Sequence, residues 1–182
     1  MKKRNWAFAL ICVMAAMQSC QKDTTFLITE TSVGPLTNTS KVSELETIFV
    51  QDSVVGDAAQ INLGASPKKV DIFEKGGKHL LTLTANSDSI PTVENVRIMD
   101  PRYTSEKGIG LKSTFKDIQD SYEIKKIVTT LNSVVVFPKG SNLYFTIDKE
   151  ELPESLRFST ASIEAVQIPD DAKIKYLMLG WE

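Results

Sequence analysis

Val134-Val135-Val136-Phe137-Pro138-Lys139-Gly140-Ser141-Asn142-Leu143-Tyr144-Phe145-Thr146-Ile147 is the stretch whose reading decides the fold. A β-branched apolar run meets a Pro-Lys-Gly-Ser-Asn breaker and returns as a second run of aromatic, Thr and aliphatic residues. That order predicts an antiparallel β-hairpin. Val134 to Phe137 shows no polar alternation, which suits a strand buried on both faces.

The same pattern stands earlier in the chain. Val70-Asp71-Ile72-Phe73 and Leu80 to Thr84 flank Lys75-Gly76-Gly77-Lys78. Phe73-Glu74-Lys75-Gly76 matches Phe137-Pro138-Lys139-Gly140, and Leu81-Thr82-Leu83 matches Phe145-Thr146-Ile147 in the same frame. Ahead of each hairpin, Val42, Leu45 and Phe49 correspond to Phe115, Ile118 and Tyr122. Both triplets have i, i+3, i+7 spacing, which lines one helical face. Thr114 and Asp117 stand at capping-box spacing, so a helix begins there. Val93 to Ile98 reads as a third strand and is similar to Ile163 to Ile168 further on. Helix, hairpin and third strand thus occur twice in one order, which predicts two related halves at residues 26–100 and 101–182.

Phe26-Leu27-Ile28-Thr29 adds a first strand, Leu152 to Phe158 a turn of helix, and Ile174 to Trp181 a last strand. Alternation in that last strand puts Lys175, Leu177 and Leu179 on one side and Ile174, Tyr176 and Met178 on the other, with only its beginning half-solvated. The expected class is α+β: antiparallel sheet with two short helices, in a single domain over residues 26–182.

The N-terminus has a different character. Lys2, Lys3 and Arg4 precede a nearly unbroken apolar run from Trp6 to Met17, the length of a secretory h-region and too short for a comfortable membrane span. Met17-Gln18-Ser19-Cys20 follows. This arrangement resembles the lipobox of bacterial lipoproteins, with Met17 in the Leu position and Ser19 as the small residue before the cysteine. The resemblance implies a signal peptide over residues 1–19, removal of Cys12 with it, and acylation of Cys20 by palmitate-type chains. One acyl chain holds a protein reversibly, at about 0.8 kcal/mol per buried CH₂, while two or three hold it firmly. Residues 20–25 then form a polar tether. Cys20-Gln21-Lys22-Asp23 also resembles part of the surface-export signal of Bacteroidetes lipoproteins, and reads equally as a plain linker.

Charge and rare residues narrow the function. Three of the 21 basic residues lie in the leader and none of the 23 acids does, so the processed chain carries 18 bases against 23 acids, a charge of −5. A mildly acidic chain without a basic cluster is a poor partner for nucleic acid and offers no polybasic patch to anionic lipid. Cys20 is the one cysteine left after processing, which removes disulfides, thiol catalysis and zinc-thiolate sites. His79 is the single histidine. Any His-dependent triad rests on it, and its hairpin position reads as a strand residue.

Other constellations are weak. Gly108-Ile109-Gly110 before a helix lacks the third glycine of a dinucleotide fingerprint, and the matching Gly34 is followed by Pro35, which has no amide to donate. Asp170-Asp171 and Glu150-Glu151 are adjacent acids on turns, without calcium-loop spacing. No Gly-x-Ser-x-Gly elbow is present. Trp181 and the Tyr and Phe residues sit in strand patterns and read as core before they read as a carbohydrate platform.

The stretch Thr104 to Tyr122, containing Gly108-Ile109-Gly110-Leu111-Lys112-Ser113-Thr114-Phe115, resembles small Bacteroidetes-type envelope lipoproteins, which implies location and fold type and assigns no site residue. The expectation is a lipoprotein of the cell envelope, held in the outer membrane through Cys20, with no catalytic, cofactor or metal site. Its role would be binding, scaffolding or accessory, toward membrane lipid and an envelope protein partner. The competing reading is an envelope hydrolase using paired carboxylates. A filled core with an exposed apolar patch favours the first, and a deep pocket with converging acids the second.

Overall fold

The computed structural model describes residues 23–56 and 69–181. Cys20 and the leader lie outside them. Three two-residue strands open the fold: β1 (Leu27–Ile28), β2 (Ser32–Val33) and β3 (Leu36–Thr37). A 3-10 turn at Val42–Glu44 runs into helix α1 (Leu45–Ile48). Then come β4 (Asp52–Val55), β5 (Lys69–Glu74), β6 (His79–Ala85), β7 (Val93–Ile98) and the short β8 (Thr104–Ser105). Helix α2 (Phe115–Ser121) precedes β9 (Ile124–Thr129), β10 (Ser133–Pro138) and β11 (Leu143–Asp148). A 3-10 turn, helix α3 (Glu154–Arg157) and another 3-10 turn at Ala165–Gln167 lead to β12 (Ile174–Gly180).

β4 to β7 and β9 to β12 are antiparallel meanders that meet at the β7–β12 pair, giving one eight-stranded sheet in the order β4-β5-β6-β7-β12-β11-β10-β9. The second sheet is small, β3-β2-β1-β8, with β1 and β8 parallel. The class is α+β, as the hairpin patterns predict.

One rung crosses the whole large sheet: Val54, Ile72, Leu81, Ile98, Leu177, Phe145, Val136 and Ile127 are successive cross-strand partners. The six central side chains are buried. Each contributes about 1.5–3 kcal/mol of burial, so this rung holds both meanders to one core. Ile28, Val33, Leu36, Val42, Leu45, Phe49, Phe115 and Ile118 belong to the same cluster.

Helix α2 starts where the sequence places it. The Thr114 amide donates to Asp117 Oδ2 at 2.7 Å, and the Asp117 amide donates to Thr114 Oγ1 at 3.4 Å. Asp replaces the usual Glu of a capping box with the geometry kept.

Three expectations are corrected. Ile163 to Ile168 is not a strand but an irregular stretch with a 3-10 turn at Ala165–Gln167, where Glu164 accepts and donates locally through Gln167. The strand standing where β7 stands in the first meander is β12. Second, β10 is buried on one face alone: Val134 and Val136 point into the core, while Val135 and Phe137 stay half-exposed. An all-apolar run mimics a two-faced strand when aromatic neighbours shield its outer side. Third, β12 is half-solvated along its length, with Tyr176 and Met178 on the outer face. Ile174 turns inward through a register shift at Thr146/Ile147. β4 and β9 are the sheet edges, and the sequence patterns do not predict them.

Candidate functional site

Strand directions define two ends of the large sheet. At the lower end lie the β5–β6 turn, the end of β7, the start of β12, the end of β11 and the β9–β10 turn. The β6–β7 and β10–β11 connections lie at the upper end.

The chain enters at the lower end. Phe26, three residues beyond Asp23, meets Tyr103 edge-on at 5.0 Å and lies under the Arg102 guanidinium at 4.2 Å. Arg102 bonds Glu74, beside the β5–β6 turn, at 2.9 Å, and Lys78 reaches the fully buried Asp100 at 2.9 Å. Burial alone would raise the Asp100 carboxyl. Hydrogen bonds from Arg102 and Lys78 outweigh it and hold the group well below the usual carboxylate range. At the upper end, Glu30 accepts from the Asn142 amide at 2.6 Å and from Ser141 Oγ at 2.7 Å, while Trp181 donates to the Glu30 carbonyl at 3.0 Å. The segment from Phe26 to Glu30 therefore runs from the lower toward the upper end.

The most exposed large apolar side chains also gather at the lower end. Phe158 is 92% exposed, Val166 91%, Leu131 78% and Val50 68%. Leu131 forms the β9–β10 turn. Phe158 follows α3, and the 3-10 turn Lys149–Glu151 ahead of that helix is tied to the β9–β10 turn by the Lys149 amide, which donates to the Asn132 carbonyl at 3.0 Å. Val166 belongs to the segment whose Ile163 amide donates to Thr129 Oγ1 at 2.9 Å. Val50 precedes Asp52, the partner of Glu74.

Leu131, Phe158, Lys149, Arg157 and Lys175 line an open groove of about 740 Å³. Lys149 is buried, and its Nζ donates to the Ser159 carbonyl at 2.6 Å. Lys175 pairs with Asp148, whose carboxyl the lysine hydrogen bond lowers. Arg157 Nε donates to the Leu152 carbonyl at 3.0 Å, and its terminal nitrogens make no hydrogen bond among the described residues. A smaller cavity of about 150 Å³ near the upper end, beside Glu30, Lys107 and Tyr122, has room for a few waters.

The sequence candidates for chemistry do not converge. His79 lies on the outer face, stacked on Phe73 at 4.5 Å. Its Nε2 is 3.2 Å from Asp71 Oδ1, 3.2 Å from Thr82 Oγ1 and 3.1 Å from the Leu81 carbonyl. A triad needs the two ring nitrogens to bridge acid and nucleophile, whereas here one nitrogen meets both and Thr82 already donates to Asp71 at 2.6 Å. Glu151 accepts from the Lys173 amide at 3.1 Å, and its neighbour Glu150 is exposed. Asp170 and Asp171 sit on the turn before β12, where the Asp170 carbonyl accepts from Lys116. The amides after Gly108-Ile109-Gly110 are spent as well: Phe115 and Lys116 donate to the carbonyls of Ala172 and Asp170 at 2.9 Å. Among the described residues no cluster of three or more His, Cys, Asp or Glu side chains has a metal-binding arrangement.

The aromatic residues divide. Phe115, Phe145, Tyr122 and Trp181 are core, as read from the sequence. Phe73, Phe137, Tyr144 and Tyr176 instead occupy the outer face. Phe137 stacks on Tyr144 at 5.6 Å, Lys126 caps Phe137 at 4.6 Å, and Arg97 lies over Tyr176 at 3.9 Å. These rings cover one another, so their faces are already occupied where a sugar would stack.

No protein-family model matches the chain, and no curated protein matches it. Among solved structures it is similar to the crystal structure of the uncharacterized protein yfeY from Escherichia coli, with a TM-score of 0.55 and 14% identity over 83% of this chain and 97% of that one. That likeness concerns the fold.

Proposed function

We propose that this protein is a lipoprotein of the bacterial envelope, tethered through acylated Cys20, with a non-catalytic binding or accessory role. The lower end of the sheet is its working surface. One observation carries the binding role: the four most exposed large apolar side chains among the described residues, Phe158, Val166, Leu131 and Val50, stand at one end of the sheet, with Ile90 and Val55 less exposed at the other. Stray apolar side chains are normal on a surface, but a concentration at one end marks an interaction site. The acids beside the groove are paired with lysine or scattered on turns, which favours binding over hydrolysis by paired carboxylates. The leader and lipobox residues support the tether. The equal order of helix and four-strand meander on either side of the β7–β12 seam supports descent of the two halves from a duplication.

Metabolic labelling with palmitate tests the tether. The wild-type chain takes up label and floats with membranes, and Cys20→Ala does neither. Labelling that persists in Cys20→Ala would overturn the anchor.

A further inference from the structure

We propose that the partner of the lower end is the lipid bilayer itself, with Phe158, Leu131, Val166 and Val50 entering the headgroup region. This rests on the anchor at Cys20. Only Gln21 and Lys22 separate Cys20 from Asp23, so three steps of about 3.4 Å bring the acylated cysteine within roughly 10 Å of the folded domain. Asp23 leads directly to Phe26, and Phe26 is fixed to the lower end by Tyr103, Arg102 and, through them, Glu74 and Asp100. A tether this short holds that end toward the membrane. The four most exposed large apolar side chains among the described residues all lie there. Two independent features, where the chain enters and where apolar surface is left open, thus select one end of the sheet.

Apolar contact drives this docking. The processed chain is net acidic, so long-range attraction to an anionic leaflet is not its source. Each inserted side chain gains little by itself, but the tether supplies a high local lipid concentration, so weak contacts suffice. Arg157 suits the headgroup level: its terminal nitrogens are unspent among the described residues and match phosphate oxygens in a forked geometry. Lys149 and Lys175 line the same groove.

The test uses the processed, acylated chain in vesicles of phosphatidylethanolamine and phosphatidylglycerol. Once Cys20 is acylated and Cys12 is lost with the leader, Phe158→Cys, Leu131→Cys or Ile90→Cys each introduces a single free thiol for an environment-sensitive fluorophore. All three positions are exposed, and Ile90 lies on the β6–β7 connection at the upper end. Spin-labelled lipids in the bilayer should quench the probes at 158 and 131 at least about threefold more than the probe at 90. Equal quenching at 158 and 90 in protein that floats with the vesicles overturns the docking and leaves the anchor standing. Protein that neither takes up palmitate nor floats removes the anchor and the docking together, so flotation tells the two failures apart.

Discussion

Arg102 grips the buried carboxylate of Asp100 from two sides, with Nε 3.1 Å from each oxygen and a terminal nitrogen 2.8 Å from Oδ2. The same guanidinium reaches Glu74 and covers Phe26, so one side chain joins the β5–β6 turn, the loop after β7 and the start of the fold. Asp100→Asn leaves Arg102 and Lys78 facing a neutral group. Both cations are partly exposed and water takes up their charge, so the cost is about 1–2 kcal/mol, and urea unfolding should show the midpoint falling with an unchanged slope.

The same carboxylate sets an acid limit. Its folded pKa is depressed, so its contribution is complete above the ordinary carboxylate value near ~4 and is lost as pH falls toward the folded value. Thermal midpoints of the wild type should therefore drop below about pH 4, and Asp100→Asn should flatten that part of the curve. Identical acid profiles for the two proteins would count against this assignment.

Phe145 is fully buried in the rung between Leu177 and Val136. Phe145→Ala should destabilise by about 3–5 kcal/mol through lost transfer energy and the cavity left behind. Calorimetry should show a single transition moving as a whole, because the rung belongs to both meanders. Two separate transitions would show that the meanders melt independently.

At the start of α2, Thr114→Ala removes the cap on the Asp117 amide and should cost about 1 kcal/mol. Thr114→Ser should recover most of it, since the accepting hydroxyl returns.

Gly34 has φ +56°, and a Cβ there would lie 2.5 Å from the Thr25 carbonyl oxygen. Gly34→Ala should cost at least about 2 kcal/mol, from left-handed backbone strain and that contact. Hydrogen exchange should quicken first at the amide of residue 34, which donates to the Leu27 carbonyl at 2.9 Å. In contrast, His79→Ala should change stability by less than about 1 kcal/mol, because its pair with Asp71 is partly exposed.

The elements legible in the amino-acid order were those whose signal is local. Both hairpins carry a Gly turn between apolar runs, α2 announces its start through Thr114 and Asp117, and β7 alternates from Asn95 to Ile98. β4 and β9 are not legible in the sequence because they are sheet edges: Lys125, Lys126 and Ser53 face solvent, so burial imposes little pattern on them. Ile163 to Ile168 looked like β7 because Ile163 and Ile168 are both buried, yet a 3-10 turn brings them inward as well as a strand would.

Composition and spacing by themselves determined an α+β class built on antiparallel hairpins, a lone histidine in a strand, and the lipobox resemblance at Cys20. They act through the nearest few residues, where turn chemistry, capping and alternation operate. The joining of the meanders through Ile98 and Leu177, the exposure of Phe158, Leu131, Val166 and Val50 at one end, and the entry of the chain at that end through Phe26 and Arg102 came from the folded arrangement. Each depends on residues far apart in the chain. Which apolar side chains find a place in the core is settled by competition for one shared interior, and no local pattern records who is left outside.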